Sequence, residues 1–346
     1  MKRFIFVFLG LIIAVCVYSQ ADLQPAATIN LVRTEAITVG QLRTEVTKIE
    51  QSSGRVLTHE ERLQVLDVII NERLALQAAE RDRVTVSDGE INQQMNQLRM
   101  MLAQEMGRQP TDEEFALAAL NDTGQNVPAF RESMRRQMIA QKYLLSQKQD
   151  LFNNIREPTE AEIVNLYNLS RAQFVRPETI RFSMIHVPFG PDTASRTRAR
   201  ELADRLNREI GADSSRFDEA VLRGQSPNSG YQAGDGGFIP RNMAAVQMMG
   251  EEFINTAFSL RQGEVSRVIQ GNQGFQIVKI TSSLPQRNLE LDDIIVPGTS
   301  ETVRQNIAGA LMQQRLQETT IRAADELMTA LRAGNPFQIM ENQLNW

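Results

Sequence analysis

Four times before residue 170, a Ser or Thr is followed three residues later by Glu, directly ahead of apolar residues at helical spacing. The pairs are Thr58…Glu61, Ser87…Glu90, Thr111…Glu114 and Thr159…Glu162. At a helix start the hydroxyl accepts from a backbone N–H of the first turn, and the Glu carboxylate accepts from the backbone N–H of the hydroxyl residue. After the first pair, Leu63, Leu66, Ile70 and Leu74 fall on one helical face; after the second come Ile91, Met95, Leu98, Met101 and Leu102. "PAFRESMRRQMIAQKYLL" predicts another helix, with Met134, Met138 and Leu145 among its apolar positions. Residues from about 40 to 170 therefore read as mostly helical, preceded by a short strand over 28–32.

Near Phe174 the period changes. "ETIRFSMIHVPF" is strand-like, "ASRTRARELADRLNREI" helical, and "SPNSGYQAGDGGFIPRN" reads as a glycine-rich loop. A helix "MGEEFINTAFSL", the turn "RQGE" and strands "VSRVIQ" and "GFQIVKIT" follow. This β-α-loop-α-β-β order describes a compact α/β module of about 110 residues. Residues 285–297 read as a linker, 301–333 as one or two helices, and "FQIMENQLNW" as a candidate last strand.

The start of the chain constrains where it works. Met1-Lys2-Arg3 precedes an uncharged run from Phe4 to Val17 and then "YSQA", the pattern of a secretory signal peptide cleaved after Ala21. The run is shorter than the ~20 apolar residues that span a bilayer. Val15 fits poorly before a lipidated cysteine, which argues against a lipoprotein at Cys16. Cleavage would remove Lys2, Arg3 and no acid, taking the formal net charge from −5 to −7. No basic patch stands out, so nucleic acid is not an expected partner. Cys16 is the only cysteine, and His59 and His186 are the only histidines. The exported chain is therefore expected to hold no disulfide, no thiol nucleophile and no metal. "GDGGF" lacks the Gly-Lys-Ser/Thr ending of a nucleotide-binding loop, and no cofactor is expected.

Several methionines, among them Met95, Met100 and Met101, sit on the first helices. Methionine fills irregular cores, and it also makes plastic surfaces for varied partners. Adjacent Met100 and Met101 lie about 100° apart on a helix, so one of them is expected to be exposed.

The α/β module resembles a parvulin-type peptidyl-prolyl isomerase domain. "IRFSMIHV", "GDGGF", "MGEEFINTAFSLRQGEVSRVI" and "QGFQIVKIT" are similar, in order, to the first strand, glycine loop, helix-plus-turn and last strand of that family. "AITVGQL", "LDVIINERLALQAAERDRVTVSDGEI" and "EPTEAEIVNLYN" resemble the chaperone region and linker of SurA- and PrsA-type foldases. The resemblance implies an α+β chain: a mostly helical domain over 22–172, an inserted parvulin-like α/β domain over 173–284, and a segment 285–346 that packs back to complete the first domain. It also implies a periplasmic, ATP-independent chaperone of unfolded or nascent exported polypeptides, with outer-membrane proteins as candidate clients. Met95, Met100 and Met101 are then candidate client contacts.

The family's catalytic positions transfer poorly. Met184 stands where the first strand carries histidine, Gln276 where the last strand carries another, and Asn228 nearest the intervening cysteine or aspartate. The resemblance leaves an apolar proline pocket of Met249, Phe253, Met184 and Phe275, with Gly236 opening one wall. In a strand, residues two apart face the same way ~6.5–7 Å apart, so His186 faces with Met184 and is the candidate substitute imidazole. Three readings stand: a chaperone whose parvulin domain is weak or inactive, a working isomerase with an altered site, and an envelope or secretion interaction module.

Overall fold

The computed structural model describes residues 21–226 and 228–344. The expected signal peptide, with Cys16, lies outside them except for Ala21, as do the last two residues of the candidate final strand. The chain divides into two compact units, one of residues up to Ile155 together with those from Arg315 on, the other Arg156–Gln314.

The first unit opens with strands β1 (Pro25–Asn30) and β2 (Thr34–Thr38), an antiparallel pair. Helices α1 (Val39–Ser53), α2 (His59–Arg81), α3 (Asp88–Met106), α4 (Asp112–Thr123), α5 (Val127–Gln147) and the short α6 (Gln149–Asn153) follow. Thr58, Ser87 and Thr111 each cap their helix with the expected reciprocal Glu, and Thr38 does the same for α1 with Gln41. The core takes Leu66, Ile70 and Leu74 from α2, Ile29 from β1, Ile37 from β2 and Tyr143 from α5. Tyr143 hydroxyl donates to Asp82 Oδ2 at 3.1 Å, so the buried ring keeps its polar tip paired. Strand β1 begins three residues before the expected segment and ends at Asn30, leaving Leu31 and Val32 in the turn.

The second unit begins with α7 (Glu160–Ser170), capped by Thr159 and Glu162, and runs through β3 (Val175–Arg176), β4 (Thr179–Pro188), α8 (Thr193–Ile210), α9 (Ser214–Gly224) and β5 (Gln232–Pro240). It continues with α10 (Met243–Met249), α11 (Glu251–Ser259), β6 (Ile269–Gln270), β7 (Gly274–Leu284) and β8 (Arg287–Asn288). The antiparallel sheet has the order β5-β4-β7-β6. Two expectations are corrected here. "GDGGF" is not loop but edge strand β5, bulged against β4 and turned by Gly237 at φ +75°. An unanticipated helix, α9, caps one face of the sheet with Phe217 and Ala220, because its apolar spacing is interrupted by charges. Residues 285–297 are not a free linker: β8 pairs with β3, and Leu289 is buried with Ile163, Tyr167, Val303 and Ile307.

A single helix, α12 (Val303–Arg332), replaces the one or two expected over 301–333. Its start supplies Val303 and Ile307 to that small core, and its end supplies Leu327 and Leu331 to the core of the first unit. Strand β9 (Phe337–Ile339) then pairs with β1 on the side away from β2, so the residues from Arg315 on, rather than the whole of 285–346, complete the first unit. Among the described residues no helix is long and apolar enough to cross a membrane.

Candidate functional site

Strand alternation builds the site. One face of the sheet carries Ile180, Phe182 and Met184 of β4, Val278 and Ile280 of β7 and Ile269 of β6, packed against Phe253, Ile254 and Ala257 of α11 and Met249 of α10. Phe253 is fully buried, and the Phe182 ring meets it edge-on at 5.3 Å between centroids. The opposite face carries Ile185, Val187, Phe275 and Ile277 against α8 and α9.

Met184, Met249 and Phe253 thus share one apolar cluster. Phe275 does not join them. Residues 275 and 276 point to opposite faces, and Phe275 packs edge-on against Phe189 at 5.1 Å, beneath Arg200. The expected opening at Gly236 is also corrected. A Cβ there would overlap the Phe182 ring, which fills the space. Asn228 is exposed in the turn leading to β5 and takes no part in the cluster.

The polar end of this face is what the sequence left unassembled. His186 lies directly opposite Gln276 across the β4–β7 ladder, and Gln276 in turn opposite Ile269. His186 is partly buried, and its enclosed Nδ1 has no hydrogen-bond partner; Gln276 is 6 % exposed, and its Oε1 has none either. Burial alone pushes the imidazole pKa below its ordinary 6.5, which favours the neutral ring. Two glycines of the β6–β7 hairpin make room for the pair. A Cβ at Gly274 would lie 2.5 Å from His186 Cε1, and one at Gly271 2.8 Å from both Gln276 amide heteroatoms. Neither glycine has the positive φ that would itself demand glycine, so close approach is their reason.

A second candidate surface lies in the first unit, where α1 and α2 flank a groove of about 430 Å³. Ile49, Leu57, Val65, Val68 and Ile69 line it, between Glu45, Glu61 and Glu72. Val68 and the neighbouring Val56 are exposed. Of the methionine candidates, Met95 packs on the Ile91 and Met134 core, whereas Met100 (55 %) and Met101 (64 %) are both exposed. An exposed methionine was expected at one of these two positions; both are exposed, because Ile91 is the one residue that α3 buries fully. Among the described residues no group of three His, Cys, Asp or Glu is placed to hold a metal ion.

The chain matches the model of the SurA-like N-terminal domain over residues 1–144 and that of the PPIC-type PPIase domain over residues 158–295. The chain is SurA/PrsA-like. It is similar to the chaperone SurA of Saccharophagus degradans, 27 % identical over 274 residues that cover 77 % of this chain and 60 % of that one. It is also similar to the foldase protein PrsA of Clostridium botulinum, 22 % identical over 82 % of this chain and 75 % of that one. Among solved structures, a SurA-like chaperone from Campylobacter jejuni is 13 % identical, with 92 % of this chain and 100 % of that one covered at a TM-score of 0.40. This SurA/PrsA-like chain spans about 60 % of the length of the first SurA relatives it matches.

Proposed function

We propose that this protein is an exported, ATP-independent chaperone that holds unfolded or nascent polypeptides in the periplasm, outer-membrane proteins among them, and that its parvulin-type domain binds proline-containing segments with weak isomerase activity. The groove between α1 and α2 carries the chaperone part of this reading. It keeps Val68 facing solvent, an arrangement suited to extended apolar segments. Met100 and Met101 supply a further adaptable apolar patch.

The weakness of isomerisation follows from chemistry. The uncatalysed barrier is ~18–20 kcal/mol, and the transition state is a twisted amide that needs no covalent intermediate. The partly buried Met184 and Met249, resting on Phe253, present an apolar surface that favours that less polar amide. Groups that orient the carbonyl typically add ~10²–10⁴-fold, and Met184 supplies none.

The mature protein should slow aggregation of an unfolded outer-membrane protein at stoichiometric amounts, less well after Val68→Glu in the groove. Unaltered protection would remove the groove from the mechanism. A second reading, a working isomerase, is favoured by His186 lying opposite Gln276. Turnover of an Ala-Pro peptide near that of an intact parvulin, lost on Phe253→Ala, would establish it over the weak-site reading.

A further inference from the structure

Two buried polar atoms without partners, on residues directly opposite each other, need a common explanation. A neutral imidazole has one N–H donor and one acceptor nitrogen, whereas an amide oxygen only accepts. His186 Nδ1 and Gln276 Oε1 satisfy each other if Nδ1 carries the proton. Gly271 borders the Gln276 amide and Gly274 the His186 ring, so no hairpin Cβ crowds either group. The ring's other nitrogen, Nε2, is not among the enclosed unpartnered atoms.

We propose that Gln276 is a positioning residue for His186: it accepts from Nδ1–H, fixes that tautomer, and leaves Nε2 as a hydrogen-bond acceptor for a backbone N–H of a peptide bound against Met184 and Met249. The first half concerns the free protein alone. The second half rests on the peptide-binding reading above.

The chain has only His59 and His186, so ¹⁵N-labelled imidazole spectra of the full mature protein contain two rings, and exposed His59 is the internal control. His186→Gln assigns the signals. The expected result at pH 7.5 is an Nδ1–H tautomer for His186. Gln276→Leu should shift it toward Nε2–H, while Gln276→Glu, which keeps an acceptor, should preserve Nδ1–H. Gly271→Ala displaces the amide without removing it and should act like Gln276→Leu, which guards against a folding defect in one variant. An Nε2–H tautomer in the unaltered protein, as a flipped amide donating to Nδ1 would give, overturns the proposal, and so does a tautomer indifferent to Gln276.

A titration with an Ala-Pro peptide tests the second half. His186→Gln and Gln276→Leu should each weaken binding about tenfold, the scale of one lost hydrogen bond. Unchanged affinity with the expected tautomer shifts would leave the pair standing and refute the acceptor role. No binding by any form, the unaltered protein included, would refute the peptide-site reading itself and with it that role.

Discussion

Phe182, Gly236 and Phe253 form one packing decision at the residue scale. The resemblance to parvulins suggested that Gly236 opens one wall of the pocket. Instead Phe182 swings into the vacancy and rests edge-on against Phe253. Gly236→Ala should therefore destabilise the second unit by about 1–3 kcal/mol, the cost of forcing a methyl into a filled core. Urea unfolding followed by amide signals of β4 and β7 would measure it; an unchanged midpoint would mean that the ring is free to leave. His186 makes a separate prediction. Its folded pKa is lowered by burial, so below about pH 6.5 the unfolded chain binds a proton that the folded ring resists. Stability should be full above pH 6.5 and decline as pH falls toward the folded pKa, and His186→Gln should remove that part of the slope. The strand period already stated that 275 and 276 cannot share a face, so the exclusion of Phe275 was legible. The facing of His186 and Gln276 was not, because register across strands 90 residues apart depends on the hairpin and bulges between them.

Helix starts were the most legible elements, because a capping box is a local bargain among four residues and owes little to tertiary context. Three of its carboxylates have strongly lowered pKa values: Glu61, Glu90 and Glu114 are each held at about 2. Arg55 leads the causes at Glu61 and Arg108 at Glu114, with the cap backbone second; at Glu90 the Ser87 backbone N–H comes first. These groups stabilise the folded state above their unfolded pKa of about 4.5, and that support is lost as pH falls from there toward 2. Helical circular dichroism should accordingly decline across that window, and less steeply in a Glu61→Gln, Glu90→Gln, Glu114→Gln variant. Thr58→Ala and Ser87→Ala should each cost about 1 kcal/mol near pH 7 in denaturant unfolding. Elements without such local signatures were missed. Strand β5 has four glycines or acids in succession and is held by its neighbour β4, and the pairing of β8 with β3 spans only two residues. Exposure of both Met100 and Met101 likewise depended on how little of α3 finds a partner.

At the scale of the whole molecule, the chain order and the fold order differ, and that difference is testable. The first unit is closed by residues more than 300 positions from its start: Ala27, Thr28 and Ile29 pair with Ile339, Gln338 and Phe337, Asn30 N–H donates to Pro336 carbonyl at 2.6 Å, and Met340 N–H donates to Ala26 carbonyl at 2.8 Å. Leu344 is buried in the same core as Ile29 and Leu74. Ending the chain after Gly334 would strip the ladder from one side of β1, expose apolar surface around Ile29, and leave several backbone groups of β1 to water. The second unit loses nothing by this cut, because its sheet and its three apolar clusters are built within residues 156–314. Hydrogen exchange of the truncated protein should therefore show β1, β2 and α1 losing protection by orders of magnitude while β4 and β7 keep theirs. Equal loss in both units would mean that the parvulin-like domain depends on the domain in which it is inserted. Retention in both would mean that β9 is an accessory edge, and closure of the first unit would then rest on Leu327 and Leu331 of α12.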